Sequence, residues 1–162
     1  MQHGFSLSFS SQSPDQTAAL AARLGASLHP GDVLLLDGPV GAGKSHFCRA
    51  LIQSRLAALN LHEDVPSPSF TLVQTYDVGP VEIWHADLYR LTDPQEIFEL
   101  GLEDAFENAI CLVEWSERLG DARPHDALHL CLTPGTGPDA RQLEFTGGLA
   151  WQARLASVLA AV

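Results

Sequence analysis

The sequence feature that most constrains this fold is the stretch Gly38-Pro39-Val40-Gly41-Ala42-Gly43-Lys44-Ser45. It satisfies the pattern G-x-x-x-x-G-K-[ST], the phosphate-binding loop of P-loop proteins. The glycines let backbone N–H groups approach phosphate oxygens without a Cβ in the way. Lys44 can reach the β- and γ-phosphates, and the Ser45 hydroxyl can ligate Mg²⁺. We therefore predict that the phosphates of a nucleotide are held by Gly38, Gly41, Ala42, Gly43, Lys44 and Ser45.

The residues on either side of the loop supply the strand and helix that such a loop requires. Residues 33–37 are a short apolar run typical of a buried parallel strand. After the loop, apolar residues recur at helical spacing: Phe47, Leu51, Ile52, Leu56 and Leu59. Lys44 is also the single lysine among nine Lys and Arg residues, so the chain has Lys where a compact, flexible ammonium is needed.

The remaining patterns predict one α/β domain over residues 1–162. Residues 5–10 alternate as a half-exposed strand, and a capping box at Ser13 opens a helix that stops near Gly25. Two hairpins are predicted, one from 70–76 and 81–87 and one from 128–132 and 142–145, with a buried strand at 109–113 between them. Helices are predicted from Asp93 to Gly101 and over 151–162. This order predicts a P-loop NTPase-like domain with a mixed parallel and antiparallel sheet flanked by helices.

Two acids stand at predicted strand ends, where a P-loop site needs a carboxylate to hold Mg²⁺ or its water shell. Glu114 follows the apolar strand, so we predict that Glu114 and Ser45 are the metal ligands. Asp87 ends the other strand, and we predict that it orders the attacking water or binds metal through water; a capping role or an ion pair with Arg90 is the alternative. The predicted catalytic residues are therefore Lys44, Asp87 and Glu114.

Two nearby side chains, His85 and Trp115, could either take part in the site or pack against the protein, and the lysine content bears on the choice of base. His85 and Asp87 have the H-x-D spacing of metal ligands, but no third ligand stands nearby in the sequence, so a packed histidine is favoured. Trp115 either stacks on the adenine or packs against the protein. No lysine remains for the N-K-x-D motif with which GTPases read guanine, so a GTPase of that type is disfavoured.

Charge, cysteine content and hydropathy disfavour several classes of protein. The formal net charge of −11 argues against general nucleic-acid binding, and eight acids with no basic residue lie between Leu91 and Glu117. That segment is either a solvated face or a docking surface for a basic partner. The three cysteines are unclustered and are expected to be reduced thiols of a cytoplasmic protein. No apolar run approaches a membrane span, and the start lacks the features of a signal peptide.

Six stretches in order resemble the TsaE-type (YjeE) ATPases, which serve in bacterial synthesis of threonylcarbamoyladenosine on tRNA. The resemblance runs from about Ser13 to Leu132. After the helix start at 13–17, Pro30-Gly31-Asp32 and the P-loop, its most specific parts are Ser67-Pro68-Ser69-Phe70, His85-Ala86-Asp87-Leu88-Tyr89-Arg90 and Glu114-Trp115-Ser116-Glu117-Arg118. The P-loop alone is generic, whereas this set in this order is specific.

The resemblance implies weak, Mg²⁺-dependent ATP hydrolysis and partnership with the threonylcarbamoyl transferase (TsaD type) and its inactive paralogue (TsaB type). It places the magnesium hydroxyl and acid on Ser45 and Glu114, the H-x-D acid on Asp87, a switch-like loop on 67–70 and an approach to the base on Thr17. The chain departs from the family's usual L-G-A-G-K-T-T at Val40, Ser45 and His46. Ser45 keeps the hydroxyl, and His46 keeps its backbone N–H for phosphate.

Two other functions need the same loop. A small-molecule P-loop kinase would pass the phosphoryl group to a metabolite, and such kinases usually carry an arginine-rich lid. Arg118 and Arg123 lie close together, but residues 91–117 contain no basic side chain. A nucleotide-gated binding module with incidental turnover would share every motif of the ATPase.

Overall fold

The structure is a computed structural model that describes residues 4–160. Within that range the strands are β1 (Gly4–Ser11), β2 (Val33–Asp37), β3 (Val73–Val78), β4 (Val81–Asp87), β5 (Ile110–Glu114), β6 (Leu128–Pro134) and β7 (Arg141–Gly148). The helices are α1 (Pro14–Ser27), α2 (Lys44–Ala58), α3 (Gln95–Leu100), α4 (Leu102–Asn108) and α5 (Leu149–Ala160), with a 3₁₀ helix at Ser116–Ala122.

All seven described strands join one sheet in the order β1-β7-β6-β2-β5-β4-β3. The central pairs β6–β2, β2–β5 and β5–β4 are parallel, and the outer pairs β1–β7, β7–β6 and β4–β3 are antiparallel. This confirms the predicted mixed α/β fold and both predicted hairpins. Because β2, β5 and β4 are parallel neighbours, their carboxyl ends meet at one edge of the sheet, where α/β proteins bind ligands.

Helices cover both faces of the sheet because its central strands are apolar on both sides. On one face, Leu34 and Leu36 of β2 pack with α1, α2 and α5. On the other face, Val33 and Leu35 pack with α3, α4 and the 3₁₀ helix. Every residue of β5 is buried. The sheet thus holds the strand ends rigidly for whatever site forms there.

Local signals set most of the helix boundaries. The Ser13 side chain caps α1 by accepting the Gln16 N–H (3.1 Å), as the capping box predicts. Gly101 ends α3 in the left-handed conformation (φ 80°), as predicted. The prediction that α1 stops near Gly25 was wrong by two residues: Gly25 packs inside the helix, where a Cβ would lie 2.8 Å from Leu51 Cγ.

Two other boundaries differ from the predictions. β3 begins at Val73 and not at Phe70, because residues 68–72 form a turn in which the Leu72 N–H donates to Pro68 O (2.8 Å) and Leu72 has φ 69°. The closing helix begins at Leu149, and the last two residues predicted for it, 161 and 162, lie outside the described residues. No helix among residues 4–160 is long and apolar enough to cross a membrane.

Candidate nucleotide site

The P-loop connects β2 to α2 at the ligand-binding edge of the sheet. Gly38 has φ 142°, and a Cβ there would lie 2.2 Å from Leu132 O, so this position requires glycine. Gly43 precedes α2 with φ 104°, and no side chain caps the helix. The first N–H groups of a 15-residue helix therefore remain available to an anion, as in other P-loops.

Lys44 is buried, with 5% of its surface exposed, and its ammonium rests on the loop itself. Nζ donates to Gly38 O (2.7 Å) and Pro39 O (3.0 Å), and it lies 4.2 Å from the centre of the Trp115 ring. Burial lowers the pKa of Lys44, and the nearby carboxylates, Glu114 foremost, oppose that shift in part. The cation therefore stands where phosphate oxygens would meet the loop.

The two predicted metal ligands are in direct contact. Ser45 Oγ, in the first turn of α2, donates to Glu114 Oε1 over 2.8 Å. Glu114 ends β5 with 2% exposure, and its second oxygen, Oε2, accepts from His85 Nε2 over 2.6 Å. A hydroxyl and a carboxylate so placed are the oxygen donors that Mg²⁺ uses in P-loop sites.

Asp87 lies beside Glu114 in the sheet register, and it is also buried. Within residues 4–160, the one hydrogen bond to its carboxylate comes from the Tyr89 N–H to Oδ1 (3.0 Å). Burial raises the pKa of Asp87, and the Glu114 carboxylate adds to that shift. Arg90 forms no ion pair with Asp87 among these residues; its guanidinium lies 4.5 Å from the Phe70 ring centre.

Asp37, at the end of β2, ties the P-loop to the segment after Glu114. It accepts the Ser116 N–H (2.8 Å), the Ser116 hydroxyl (2.5 Å) and His129 Nε2 (2.7 Å). Burial raises the pKa of Asp37, but the hydrogen bonds from His129 and Ser116 outweigh burial and hold it below 3.8. The Ser116 contacts fix the preceding residue, Trp115, in a left-handed conformation (φ 56°) that turns its ring toward Lys44.

Lys44, Ser45, Asp87, Glu114 and Trp115 line a cleft of about 620 Å³, a size usual for small-molecule sites. Its walls are the P-loop and α2 start, the start of α1, the 67–69 loop, the strand ends and the β6–β7 turn. Of the predicted site residues, those that line it are Thr17, Gly41, Gly43, Lys44, Ser45, His46, Asp87, Glu114 and Trp115. Gly38 and Ala42 lie behind the loop surface and shape it.

Two predicted contacts with the base are already engaged in internal interactions. The Thr17 hydroxyl lies 2.5 Å from Ser11 Oγ and is buried. The Trp115 ring lies against Lys44 and, at 4.9 Å between ring centres, Tyr89, which places it at the phosphate end of the cleft. His46 Nε2 donates to Pro14 O (3.0 Å) and so links α2 to the start of α1.

Two arginines line the cleft: Arg90, which was considered only as an ion-pair partner of Asp87, and Arg141, which no sequence pattern predicted. Arg141, on β7, donates from Nε to Ala42 O (3.1 Å) and from a terminal nitrogen to Gly41 O (3.3 Å). It thereby fixes the outer peptide groups of the P-loop. No local signal marks Arg141, because it reaches the loop across a sequence distance of 100 residues. Arg118 and Arg123, weighed as parts of a kinase lid, are not among the residues that line the cleft.

Comparison with known proteins identifies one family. The family model described as "Threonylcarbamoyl adenosine biosynthesis protein TsaE" matches residues 11–143. The chain is 35% identical over 134 residues to the tRNA threonylcarbamoyladenosine biosynthesis protein TsaE of Bacillus subtilis (strain 168), covering 82% of this chain and 80% of that protein. It is 45% identical over 103 residues to the protein of the same name from Rickettsia felis, covering 64% of this chain. That match spans 58% of the length of the Rickettsia protein.

A solved structure shows the same architecture over nearly the full length. The crystal structure of Bacillus subtilis YdiB superposes with a TM-score of 0.77 at 27% identity, covering 99% of each chain. The fold, the family match and the motifs at the cleft lead to one assignment: the chain belongs to the TsaE family.

Proposed function

We propose that this protein binds ATP with Mg²⁺ in the cleft and hydrolyses it slowly, as a component of tRNA threonylcarbamoyladenosine synthesis. The observation that carries the proposal is the 2.8 Å contact between Ser45 and Glu114 at the foot of a P-loop. The two residues lie 69 positions apart in the chain, and they supply the hydroxyl and the carboxylate that such a site needs.

The donors at the cleft fit Mg²⁺. They are oxygens, with one carboxylate held at both ends by Ser45 and His85, and the second carboxylate, Asp87, stands beside it. A ligating carboxylate that is itself hydrogen-bonded is the usual arrangement around protein-bound metals. Ser45 and Glu114 would hold Mg²⁺, which would neutralise the negative charge that develops on the phosphate oxygens during hydrolysis.

Residues of the protein would bind the phosphates and orient the attacking water. Lys44 exchanges its two loop carbonyls for phosphate oxygens, and the free N–H groups of the α2 start hold the β-phosphate. Asp87, whose raised pKa makes it a better proton acceptor than an exposed aspartate, orients the attacking water. The Asp87 carboxylate has one oxygen without a hydrogen-bond partner among the described residues, and Asp87 lines the cleft together with Ser67 and Ser69.

The biological role follows from the family. Proteins of this family carry names that assign them to threonylcarbamoyladenosine synthesis, and we propose the same pathway for this chain. It would act in the cytoplasm, as a single domain, on the transferase (TsaD type) and its inactive paralogue (TsaB type). With a net charge of −11, it would act on those proteins and have little direct contact with tRNA.

The test is ATP hydrolysis by wild type and by Glu114→Gln as Mg²⁺ is titrated. The variant keeps the shape of the side chain and loses its charge, so we expect Mg²⁺-stimulated turnover to fall about 100-fold or more while the fold is retained. Circular dichroism checks the fold. Unchanged stimulation by Mg²⁺ would reassign the metal acid to Asp87. Phosphoryl transfer to a metabolite in the same assay, in place of hydrolysis, would favour the kinase.

A further inference from the structure

A second potential metal-ligand set lies directly behind the Mg²⁺ residues. One ligand atom from each of Cys48, His85 and Glu114 lies within 4.8 Å of the other two, and all three side chains are buried. They come from three elements, α2, β4 and β5, so neither Cys48 nor Glu114 is a neighbour of His85 in the sequence. The His85 ring supports the cluster with a further feature: Nδ1 is buried and has no hydrogen-bond partner among residues 4–160.

The donors of this cluster differ in kind from those at the cleft surface. A thiol, an imidazole and a carboxylate form a mixed S, N and O set, which suits Zn²⁺ and similar ions and not Mg²⁺. Adjacent ligands of a tetrahedral Zn²⁺ lie about 3–4 Å apart, given bond lengths of about 2.0–2.3 Å. The observed separations therefore need only small side-chain movements to close around an ion.

Charge and burial select which ions can enter. Cys48 would bind a metal as the thiolate, so the cluster takes an ion that binds sulfur strongly enough to displace the thiol proton. Once the thiolate forms, its charge and that of Glu114 balance a divalent cation, and the released proton passes to solvent. Such a neutral complex avoids the cost of burying net charge.

We propose that Cys48, His85 and Glu114 bind a thiophilic divalent cation of the Zn²⁺ class. Entry is by the cleft, because Glu114 lines it and Cys48 lies one helical turn beyond Ser45. An ion bound there is coordinated by Glu114, the carboxylate that Ser45 also contacts, so it competes with Mg²⁺ for this ligand. The inhibitory consequence rests on the proposed Mg²⁺-dependent hydrolysis, whereas binding of the ion does not.

The binding test uses Co²⁺ as a spectroscopic substitute for Zn²⁺ on the full-length, nucleotide-free protein. We expect a sulfur-to-cobalt charge-transfer band that saturates at one ion per chain and disappears when Zn²⁺ is added. The band should be absent in Cys48→Ala and should persist in Cys111→Ala. Cys111 is the matched control, since it is equally buried, lies on β5 and is not part of the cluster.

The Co²⁺ titration of wild type tests whether the site exists even if Cys48→Ala does not fold. No charge-transfer band in folded wild-type protein, or an undiminished band in Cys48→Ala, overturns the proposal. His85→Asn, which shortens the side chain, should weaken Co²⁺ binding by about tenfold or more, equivalent to about 1.4 kcal/mol.

A second assay tests the competition. Zn²⁺ should inhibit Mg²⁺-ATP hydrolysis by wild type and by Cys111→Ala, and the inhibition should weaken as the Mg²⁺ concentration rises. Cys48→Ala should still hydrolyse ATP, and its sensitivity to Zn²⁺ should be about tenfold lower or more. Equal inhibition of Cys48→Ala rules out competition at this cluster. A cobalt band without any ATP hydrolysis would instead contradict the proposed function and leave the metal site standing.

Discussion

At the scale of single residues, the two carboxylates of the cleft differ although they are direct neighbours in the sheet. Glu114 accepts hydrogen bonds from Ser45 and His85, one on each oxygen. Asp87 accepts one, from the Tyr89 N–H, and burial raises its pKa. A carboxylate held by one donor on each oxygen, with further lone pairs left, suits a fixed metal ligand, and a poorly solvated carboxylate with a free oxygen suits proton transfer.

This difference predicts the behaviour of Asp87→Asn. ATP affinity should change less than about tenfold, because phosphate binding relies on the loop, while hydrolysis should fall by about 100-fold or more. Titration with a fluorescent nucleotide and a turnover assay measure the two effects separately. Asp139→Asn is the matched control, as an exposed acid at the same cleft, and it should keep both properties. A large loss of affinity with turnover retained would contradict the assignment.

The sequence predicts the site residues that belong to a local motif. It does not predict the residues that reach the site only through the tertiary fold. Lys44, Ser45 and the strand-end acids follow from patterns within a few residues of one another. Arg141 and Cys48 have no such pattern: Arg141 reaches the P-loop from β7, and the position of Cys48 beside His85 depends on how α2 lies on the sheet. Their roles come from tertiary contacts, which spacing along one chain does not encode.

At the scale of elements, the Asp37 contacts join the end of β2 to the start of the 3₁₀ helix. They hold Ser116, and through it the left-handed Trp115, at a fixed distance from the P-loop. A non-glycine residue in that conformation costs on the order of 1 kcal/mol, so the surrounding contacts must outweigh it. Asp37 therefore contributes to stability as well as to the shape of the cleft.

The lowered pKa of Asp37 predicts a pH-dependent loss of stability in Asp37→Asn. An acid whose folded pKa lies below its unfolded value stabilises the fold above the unfolded pKa, here 3.8, and loses that effect as pH falls through the folded pKa. Near neutral pH the free energy of unfolding of wild type should exceed that of the variant by about 1.5–3 kcal/mol, the range for hydrogen bonds to a charged group. The difference in the free energy of unfolding should begin to shrink near pH 3.8 and should disappear as pH falls through the lower, folded pKa of Asp37.

Denaturant unfolding at a series of pH values measures this difference. Asp77→Asn, an exposed aspartate on β3, is the control and should change stability little at any pH. A gap between wild type and Asp37→Asn that stays constant as pH falls would show that the carboxylate charge is not the stabilising feature.

At the scale of the whole molecule, the hairpins and helices follow from local patterns, but the strand order does not. Placing β2 between β6 and β5 joins segments about 80–95 residues apart. The P-loop motif restricts the choice to parallel α/β sheets, and the ends of the chain then add β1 and β7 at one edge. The sequence patterns indicate that Ser45 and the strand-end acids meet, but not that Cys48 lies beside His85 or that Arg141 reaches the P-loop.

The acidic segment, residues 91–117, covers one face with α3, α4 and the start of the 3₁₀ helix. Six of its eight acids are exposed: Asp93, Glu99, Glu103, Asp104, Glu107 and Glu117. Glu114 is buried at the site, and Glu96 accepts the Asp93 N–H at the start of α3. The exposed acids leave a negatively charged face free to meet a basic partner.

Reversing charge at Glu99 and Glu107 tests that face. Both lie near helix C-termini, where lysine is favourable, so Glu99→Lys with Glu107→Lys should keep the fold. We expect the variant to capture less of the transferase pair and to bind ATP as wild type does. For wild type, association with the pair should weaken as salt rises, since the screening length is about 8 Å at physiological ionic strength. Reversal of the exposed Glu63 and Asp64 is the control. If capture responds neither to salt nor to the first pair, the segment is solvated surface.

The contact between Lys44 and Trp115 gives the molecule an intrinsic optical reporter. The indole has a cation 4.2 Å from its ring centre, and that cation must leave Gly38 O and Pro39 O when it meets phosphate. The other two tryptophans, Trp84 and Trp151, are not among the residues that line the cleft. Nucleotide should therefore alter the emission of wild type and of Trp151→Phe, and not that of Trp115→Phe. Occupancy of the cleft can then be followed in unlabelled protein, in the presence of partners, by the fluorescence of one residue.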